Sequence, residues 1–333
     1  MNPPRSAADL VGRRVAIEVP ATTANLGAGF DALALALDLI TLIEVRAVPP
    51  ETVPRFEVVV EGEGAGQLPS GRRNRFISAL IDGLEATGVV ADGAGWHVRM
   101  VNHIPVTRGL GSSASATVGG LVAADALLGG ALGPEQMLEL ATAAEGHADN
   151  AAAAIHGGLC VVTSFDGVPR AVRLDPPQGL LAALYIPDKH LSTAAMRAVL
   201  PASVPFEDAV HNVGAASLAV AALSQGRLEL LRPATVDRLH EPYRAAAYPE
   251  LPELIEAALA AGAQGACLSG AGPTVIAFSD DMASAATIAA AMERRAQSLR
   301  LDGRAAVQAV RAEGARVVDE GRARHDRRPL GLT

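Results

Sequence analysis

Residues Pro105 to Ser115 read PVTRGLGSSAS, and the rest of the chain is read outward from them. The stretch follows an alternating, strand-like run at Trp96–Val101 and precedes an apolar run from about Ser113 to Leu128 that reads as a helix. Gly109 and Gly111 permit positive φ and allow close approach to the backbone, which a side chain would block. Ser112 and Ser113 are expected to cap the helix, with amides and hydroxyls pointing where an anion would sit. Such a helix start has unsatisfied N–H groups at the positive end of its dipole, and it favours phosphate. A bare GxG followed by serine is equally an ordinary capped turn. The full string is far more specific.

Upstream of it, Val15–Val19, Leu42–Val48 and Phe56–Val60 are β-branched or alternating runs bounded by Gly and Pro, which predicts strands. Arg75–Ala86 carries Ile77, Leu80, Ile81 and Leu84 on one helical face. Downstream, Pro134 and Glu135 open a helix running to about Glu145, with Pro suited to the first turn and Glu to the positive end. Gly157–Ser164 reads as strand. Pro176, Pro177 and Gly179 mark a boundary after about residue 175. Beyond it, helices are expected at about 207–223 and 249–261, and strands at 182–186, 265–268, 274–278 and 305–311. Strands and helices interleave without strict βαβ regularity, which favours a two-layer α+β class. Domains are placed at 1–175 and 176–315, and the Arg-rich stretch 316–333 is expected to be a flexible, solvated tail.

Composition removes several function classes. The 333 residues carry a net charge of −8, which argues against broad capture of nucleic acid or of an anionic membrane. Lys189 is the only lysine, so neither a Walker A loop nor a kinase strand lysine is available. Cys160 and Cys267 form no CxxC pair and read as buried structural thiols. The first residues lack the apolar core of a secretory signal, and Asp125 interrupts the longest apolar stretch, so a cytoplasmic protein without membrane spans is expected.

PVTRGLGSSAS resembles the phosphate-binding motif of the GHMP kinases. Two further segments are similar to motifs of that superfamily in the same order: VPATTANLGAGFD (Val19 to Asp31) and CLSGAGPT (Cys267 to Thr274). The homoserine kinase branch is suggested by EGHADN (Glu145 to Asn150), LSTAAMRAVLP (Leu191 to Pro201) and HEPYR (His240 to Arg244). The resemblance implies a two-domain fold, mixed α/β at the N-terminus and ferredoxin-like at the C-terminus. It also implies ATP and Mg²⁺ as cofactors, L-homoserine as phosphoryl acceptor and a homodimer.

Site residues follow from the same resemblance. Pro105, Gly109, Leu110, Gly111, Ser112, Ser113 and Ala114 would hold the nucleotide phosphates, and Asn74 would contact the base. Asn25 and Asp31 would meet the amino acid, whose ammonium suits a carboxylate. Arg197 and Arg244 would fork onto its carboxylate, with Arg238 the rival for the second position. His147 and Asn150 would line the acceptor hydroxyl, with Asn150, His147 and Arg197 forming the catalytic set. Magnesium needs oxygen ligands, for which Ser112 and a helix Glu are matched. Glu139, the eleventh residue before Asn150, is preferred. Its rival Glu145 lies about 240° around a regular helix, so both cannot face one ion.

Mevalonate kinase-like members have an Asp base where this chain has Asn150, and an amide takes no proton at neutral pH. Asp149 is expected to point elsewhere if the helix continues through it. Three other readings are weighed: a kinase for another small alcohol, an inactive nucleotide-binding regulator and a serine hydrolase. Asn150 and the paired arginines count against the first, Ser112 and Glu139 against the second, and the absence of a GxSxG elbow at Ser112 against the third.

Overall fold

The computed structural model describes residues 6–319. Its first sheet is built around two long hairpin strands, β1 (Arg14–Ala24) and β2 (Leu33–Val48), paired antiparallel along their length. Beyond β2 lie β4 (Gly95–Asn102) and then β3 (Phe56–Gly62), the latter parallel to β4. The other end of β2 is met by β5 (Leu159–Phe165), which pairs with β6 (Val168–Leu174). Helices α1 (Arg75–Ala86), α2 (Ser112–Leu128), α3 (Pro134–Glu145) and α4 (Asp149–His156) cover this sheet around an apolar core that includes Ile17, Ile43, Phe76, Trp96 and Leu121.

The chain leaves the first sheet at Leu174 and enters a second at β7 (Leu181–Pro187). A helical stretch follows: α5 (Thr193–Ala198), α6 (Phe206–Gln225), α7 (Leu231–Ala234), α8 (Glu241–Ala245) and α9 (Leu251–Ala260). The hairpin β8 (Gly265–Leu268) and β9 (Val275–Ser279), then α10 (Met282–Ser298) and β10 (Gly303–Ala309), complete an antiparallel sheet of order β10-β7-β9-β8. That is the ferredoxin-like strand order. Helix α10 is absent from the expectations above; its Ala-rich run carries only a weak apolar stripe at Ala285, Ile288, Ala289, Met292 and Ala296. A shared apolar layer joins the two halves, with Leu33, Leu35 and Leu37 of β2 against Leu184 of β7 and Ile276 and Phe278 of β9.

The first residues of the expected tail are not a tail. Arg316–Val318 forms β11, antiparallel to β1. The reason is electrostatic: Glu18 of β1 is fully buried, and its carboxylate takes Arg316 Nε at 2.7 Å together with the Arg311 guanidinium. A buried carboxylate is tolerable only when paired. Residues 320–333 lie outside the described residues.

The helices that carry the site are set by close approach. Gly120 of α2 faces α1, where an added Cβ would stand 2.4 Å from the Phe76 carbonyl oxygen and 2.7 Å from the Leu80 nitrogen. Gly83 of α1 returns the contact, 2.7 Å from the Ala124 Cβ position. These glycines let the two helices lie side by side at close range. Gly120→Val should force them apart and cost about 1–3 kcal/mol of stability, as overpacking does. Urea denaturation measures it, and an unchanged midpoint would show that the helices do not meet this way.

Candidate active site

The three glycine-bearing segments converge between the two sheets. Gly109 (φ 77°) and Gly111 (φ 69°) take left-handed backbone, and Gly111 is the residue before the first turn of α2. A Cβ on Gly109 would lie 2.2 Å from the Ser269 carbonyl oxygen, and one on Gly111 1.9 Å from Thr22 Oγ1. The Ser269 hydroxyl donates to the Gly109 carbonyl at 2.7 Å and meets the Thr23 hydroxyl at 2.8 Å. Gly270 N–H donates to the Ala24 carbonyl, Thr274 N–H to that of Arg108, and Asn25 Nδ2 to that of Gly270. Backbone from β1, the 105–111 loop and the β8–β9 turn is thereby locked edge to edge.

A cavity of about 580 Å³ opens beside this lock. On one side it is lined by Gly109, Gly111, Ser112, Ser113 and Ala114, so the start of α2 faces it. The two serines occupy the first turn of α2, and neither caps it as expected; the cap position belongs to Gly111. Pro105 and Leu110 are not among the lining residues. Leu110 is fully buried in the apolar layer, and its carbonyl accepts the Thr22 N–H. Those two shape the loop from behind.

Glu139 does not face the cavity. It stands on the outer side of α3, 3.9 Å from Arg170. Glu145 lines the cavity instead. Its carboxylate accepts Ser113 Oγ at 2.7 Å, Thr117 Oγ1 at 2.7 Å and Arg75 Nη1 at 3.0 Å. The α3 helix ends at Glu145 with Gly146 left-handed (φ 82°), and α4 starts afresh at Asp149. The eleven-residue match to Asn150 thus points to an acid outside the cavity, and the carboxylate that lines it is the rival, Glu145.

The same break turns Asp149 inward, against expectation. Asp149 is almost wholly buried and lines the cavity beside His147 and Asn150. Its Oδ1 accepts the Asn150 backbone N–H at 2.6 Å and lies 3.1 Å from His147 Nδ1. Asn150 Nδ2 donates to the same oxygen at 3.3 Å, which fixes the amide so that its Oδ1 accepts from Thr22 Oγ1 at 2.8 Å. The bond to Asp149, opposed by desolvation, holds the His147 pKa above its ordinary 6.5.

Across the cavity, Asp31 (φ 54°) grips Arg197 with two bonds, at 2.6 and 2.9 Å. These bonds hold the Arg197 pKa above its ordinary value. Arg244 is enclosed, with Nε on the Met196 carbonyl and Nη1 shared between the Gly270 carbonyl and His240 Nδ1. Burial, then the proximity of Arg197, lowers its pKa to about 10. Arg238 is paired with Asp208 and is not a lining residue, which leaves Arg244 the second arginine at this end of the cavity. Asn25 and Asn74 line the wall but are engaged in it. Asn25 accepts the Asp31 N–H, while Asn74 caps α1 through the Phe76 N–H and donates to the Pro69 carbonyl.

Residues 74–158 match the model of the GHMP kinases N-terminal domain, and residues 219–298 that of the GHMP kinases C-terminal domain. The homoserine kinase of Moorella thermoacetica is 44% identical over 263 residues, 79% of this chain and 86% of that protein. A homoserine kinase of Thermus thermophilus is 44% identical over 260 residues, covering 78% and 85%. The chain belongs to the homoserine kinase family of GHMP kinases. The crystal structure of the homoserine kinase from Cytophaga hutchinsonii superposes with a TM-score of 0.81 at 29% identity, covering 92% of this chain and 97% of that one. A mevalonate kinase from L. major, at 18% identity and a TM-score of 0.64 over 91% and 97% of the chains, shares the fold alone.

Within this homoserine kinase site, Asp149 and Glu145 escape a reading based on helical spacing, although both stand in the EGHADN string. Burial marks Cys160 and Cys267 as structural, pushing Cys160 up to about 12 and Cys267 well above the ordinary thiol range. Among the described residues no helix is long and apolar enough to cross a membrane.

The His147–Asp149 pair has a measurable signature. A histidine pKa raised by folding contributes stability that is fully present below about 6.5 and is lost as pH rises through the raised value. Asp149→Asn should move the His147 titration back down, followed by its imidazole proton NMR signals. An unmoved titration would separate the two side chains.

Proposed function

We propose that the chain transfers the γ-phosphoryl group of ATP to the side-chain hydroxyl of L-homoserine, giving O-phospho-L-homoserine for threonine synthesis in the cytoplasm. The observation that carries this reading is one cavity lined at one end by the glycine-flanked N-terminus of α2 and at the other by two arginines and Asp31. The first end suits a polyphosphate, since free N–H groups and the dipole both favour anions. The second suits a free amino acid, with guanidiniums for its carboxylate and Asp31 for its ammonium.

Homoserine, on this reading, lies with its carboxylate toward Arg197 and Arg244. Asp31 exchanges part of its hold on Arg197 for the ammonium. The hydroxyl then reaches Asn150 and Asp149, between the amino-acid end and the α2 start. Because Asn150 Oδ1 is taken by Thr22, its amide hydrogens are what it offers: it orients oxygen as a donor and cannot remove a proton. Asp149 Oδ1 is occupied by the Asn150 N–H and by His147, so its part is read as holding these two side chains. The acceptor proton is read as leaving late, to the transferred phosphoryl oxygens, in a loose transition state where positioning and charge supply most of the acceleration.

Magnesium fits the residues present. Glu145 gives a carboxylate at the cavity wall, Ser113 and Ser112 give hydroxyls at the helix start, and the remaining ligands would come from phosphate and water, as this ion prefers. When bound, it would neutralise charge developing on the phosphates. Glu145 replaces Glu139 in this assignment.

A panel of L-homoserine, serine, threonine, mevalonate and galactose, with ADP release detected, tests the reading. Homoserine should be strongly preferred, and turnover with mevalonate or galactose at a similar rate would refute it. Arg197→Leu should raise the homoserine KM at least about tenfold, since one charge-assisted partner contributes roughly 1.5–3 kcal/mol, and leave the KM for ATP nearly unchanged. Equal shifts in both constants would remove Arg197 from the amino-acid end.

Two carboxylates with different fates provide a second check. Glu145→Gln should abolish most metal-dependent turnover, whereas Glu139→Gln should retain parental kcat. Activity lost in the Glu139 variant instead would restore the assignment from sequence spacing.

A further inference from the structure

The two arginines at the amino-acid end share a third neighbour. The ring of Phe30 lies 5.4 Å from the Arg197 guanidinium carbon and 5.4 Å from that of Arg244. Two cations that meet one ring are close enough to repel, and Arg244 is almost wholly buried, where water screens poorly. Asp31 hydrogen-bonds only one of them, through its paired bonds to Arg197, and its charge reaches Arg244 from a distance together with those of Asp237 and Glu241. Arg244 has no carboxylate of its own among its hydrogen-bond partners, which are two backbone carbonyls and His240.

The third side chain on the ring adds no positive charge. His240 packs against Phe30 with ring centres 5.1 Å apart, and it is fully buried. Burial pushes its pKa down to about 4. Its Nε2 donates to the Gly27 carbonyl, so neutral Nδ1 is left to accept from Arg244. The ring itself is anchored by the turn that carries it. Asn25 and Asp31 both hold left-handed backbone and are tied together by the Asp31 N–H to Asn25 Oδ1 bond.

We propose that Phe30 is a positioning and specificity-determining residue: its π surface holds the Arg197 and Arg244 guanidiniums together at the spacing one substrate carboxylate requires. The inference rests on the reading of those arginines as the amino-acid clamp. An aromatic face carries negative quadrupole toward a cation and brings no formal charge to compete with the substrate. A carboxylate in its place would neutralise the arginines and occupy them. An aliphatic side chain would fill the volume but present no negative face to hold the two guanidiniums at one ring.

The test compares L-homoserine with 3-aminopropan-1-ol, which keeps the amine and the hydroxyl and lacks the carboxylate. Phe30→Leu should raise the homoserine KM roughly three- to thirtyfold while leaving the KM for ATP, and the inhibition constant of the amino alcohol, within about twofold. Phe30→Tyr, which preserves the π face, should stay near the parent. An unchanged homoserine KM, equal weakening of both ligands, or a Tyr variant as impaired as the Leu variant would overturn the proposal. Arg197→Leu in the same assay separates this inference from the reading beneath it. If that variant weakens both ligands equally, or neither, the clamp itself is wrong. If it weakens homoserine selectively and Phe30→Leu does not, only the role of Phe30 falls.

Discussion

The contact between the Gly109 backbone and the Ser269 carbonyl is the constraint on which the rest of the site depends. No side chain fits there, and the Ser269 hydroxyl bonds back to the Gly109 carbonyl, so loops from opposite halves of the chain meet as bare backbone. Every other element of the cavity is referenced to this contact. On one side it sets where α2 starts. On the other it sets Gly270, whose carbonyl receives both Asn25 and Arg244. The α2 end and the arginine end of the cavity are thereby held at a fixed separation by main chain, which moves far less readily than side chains.

Charge is distributed along the cavity with the same economy of flexible groups. With one lysine in the chain, the positive groups are arginines, whose planar forks suit carboxylate and phosphate and stay charged when partly buried. Four arginines at the cavity are already engaged in the free protein: Arg75 with Glu145, Arg108 with the Asp188 carbonyl and His190, Arg197 with Asp31, and Arg244 with backbone carbonyls. Anionic ligands therefore meet cations whose orientation is already fixed, and less side-chain entropy is lost on binding.

Much of this was legible in the chain because it resides in short, continuous strings. The glycine segments announce close backbone approach, and the alternation at Trp96–Val101 and the Ile77/Leu84 face give a strand and a helix where the structure has them. Spacing could not give two things. Gly146 ends α3 and restarts the phase of the helix, which turns Asp149 to the cavity, while Glu139 and Glu145 both precede that break on different sides of α3, and spacing alone does not say which side faces inward. Sequence likewise does not say which motif residues touch ligand and which hold the wall. Leu110 and Pro105 stand behind the loop, and Asn74 and Asn25 commit their amides to neighbouring backbone. The strand at Arg316–Val318 was hidden because its cause, the buried Glu18, lies at the opposite end of the chain.

That strand ties the order of assembly to the order of synthesis. The first sheet is begun by β1 and closed at that edge by β11, the last element described, so its outer backbone groups go unpaired until nearly the whole polypeptide exists. Until then Glu18 also lacks the arginines at 311 and 316. A nascent chain released or cleaved near the 175–180 link would carry an open sheet edge and an acid stripped of two of its counter-ions, the sort of species that pairs with other chains. The two halves have separate cores, yet neither is a finished product without the other.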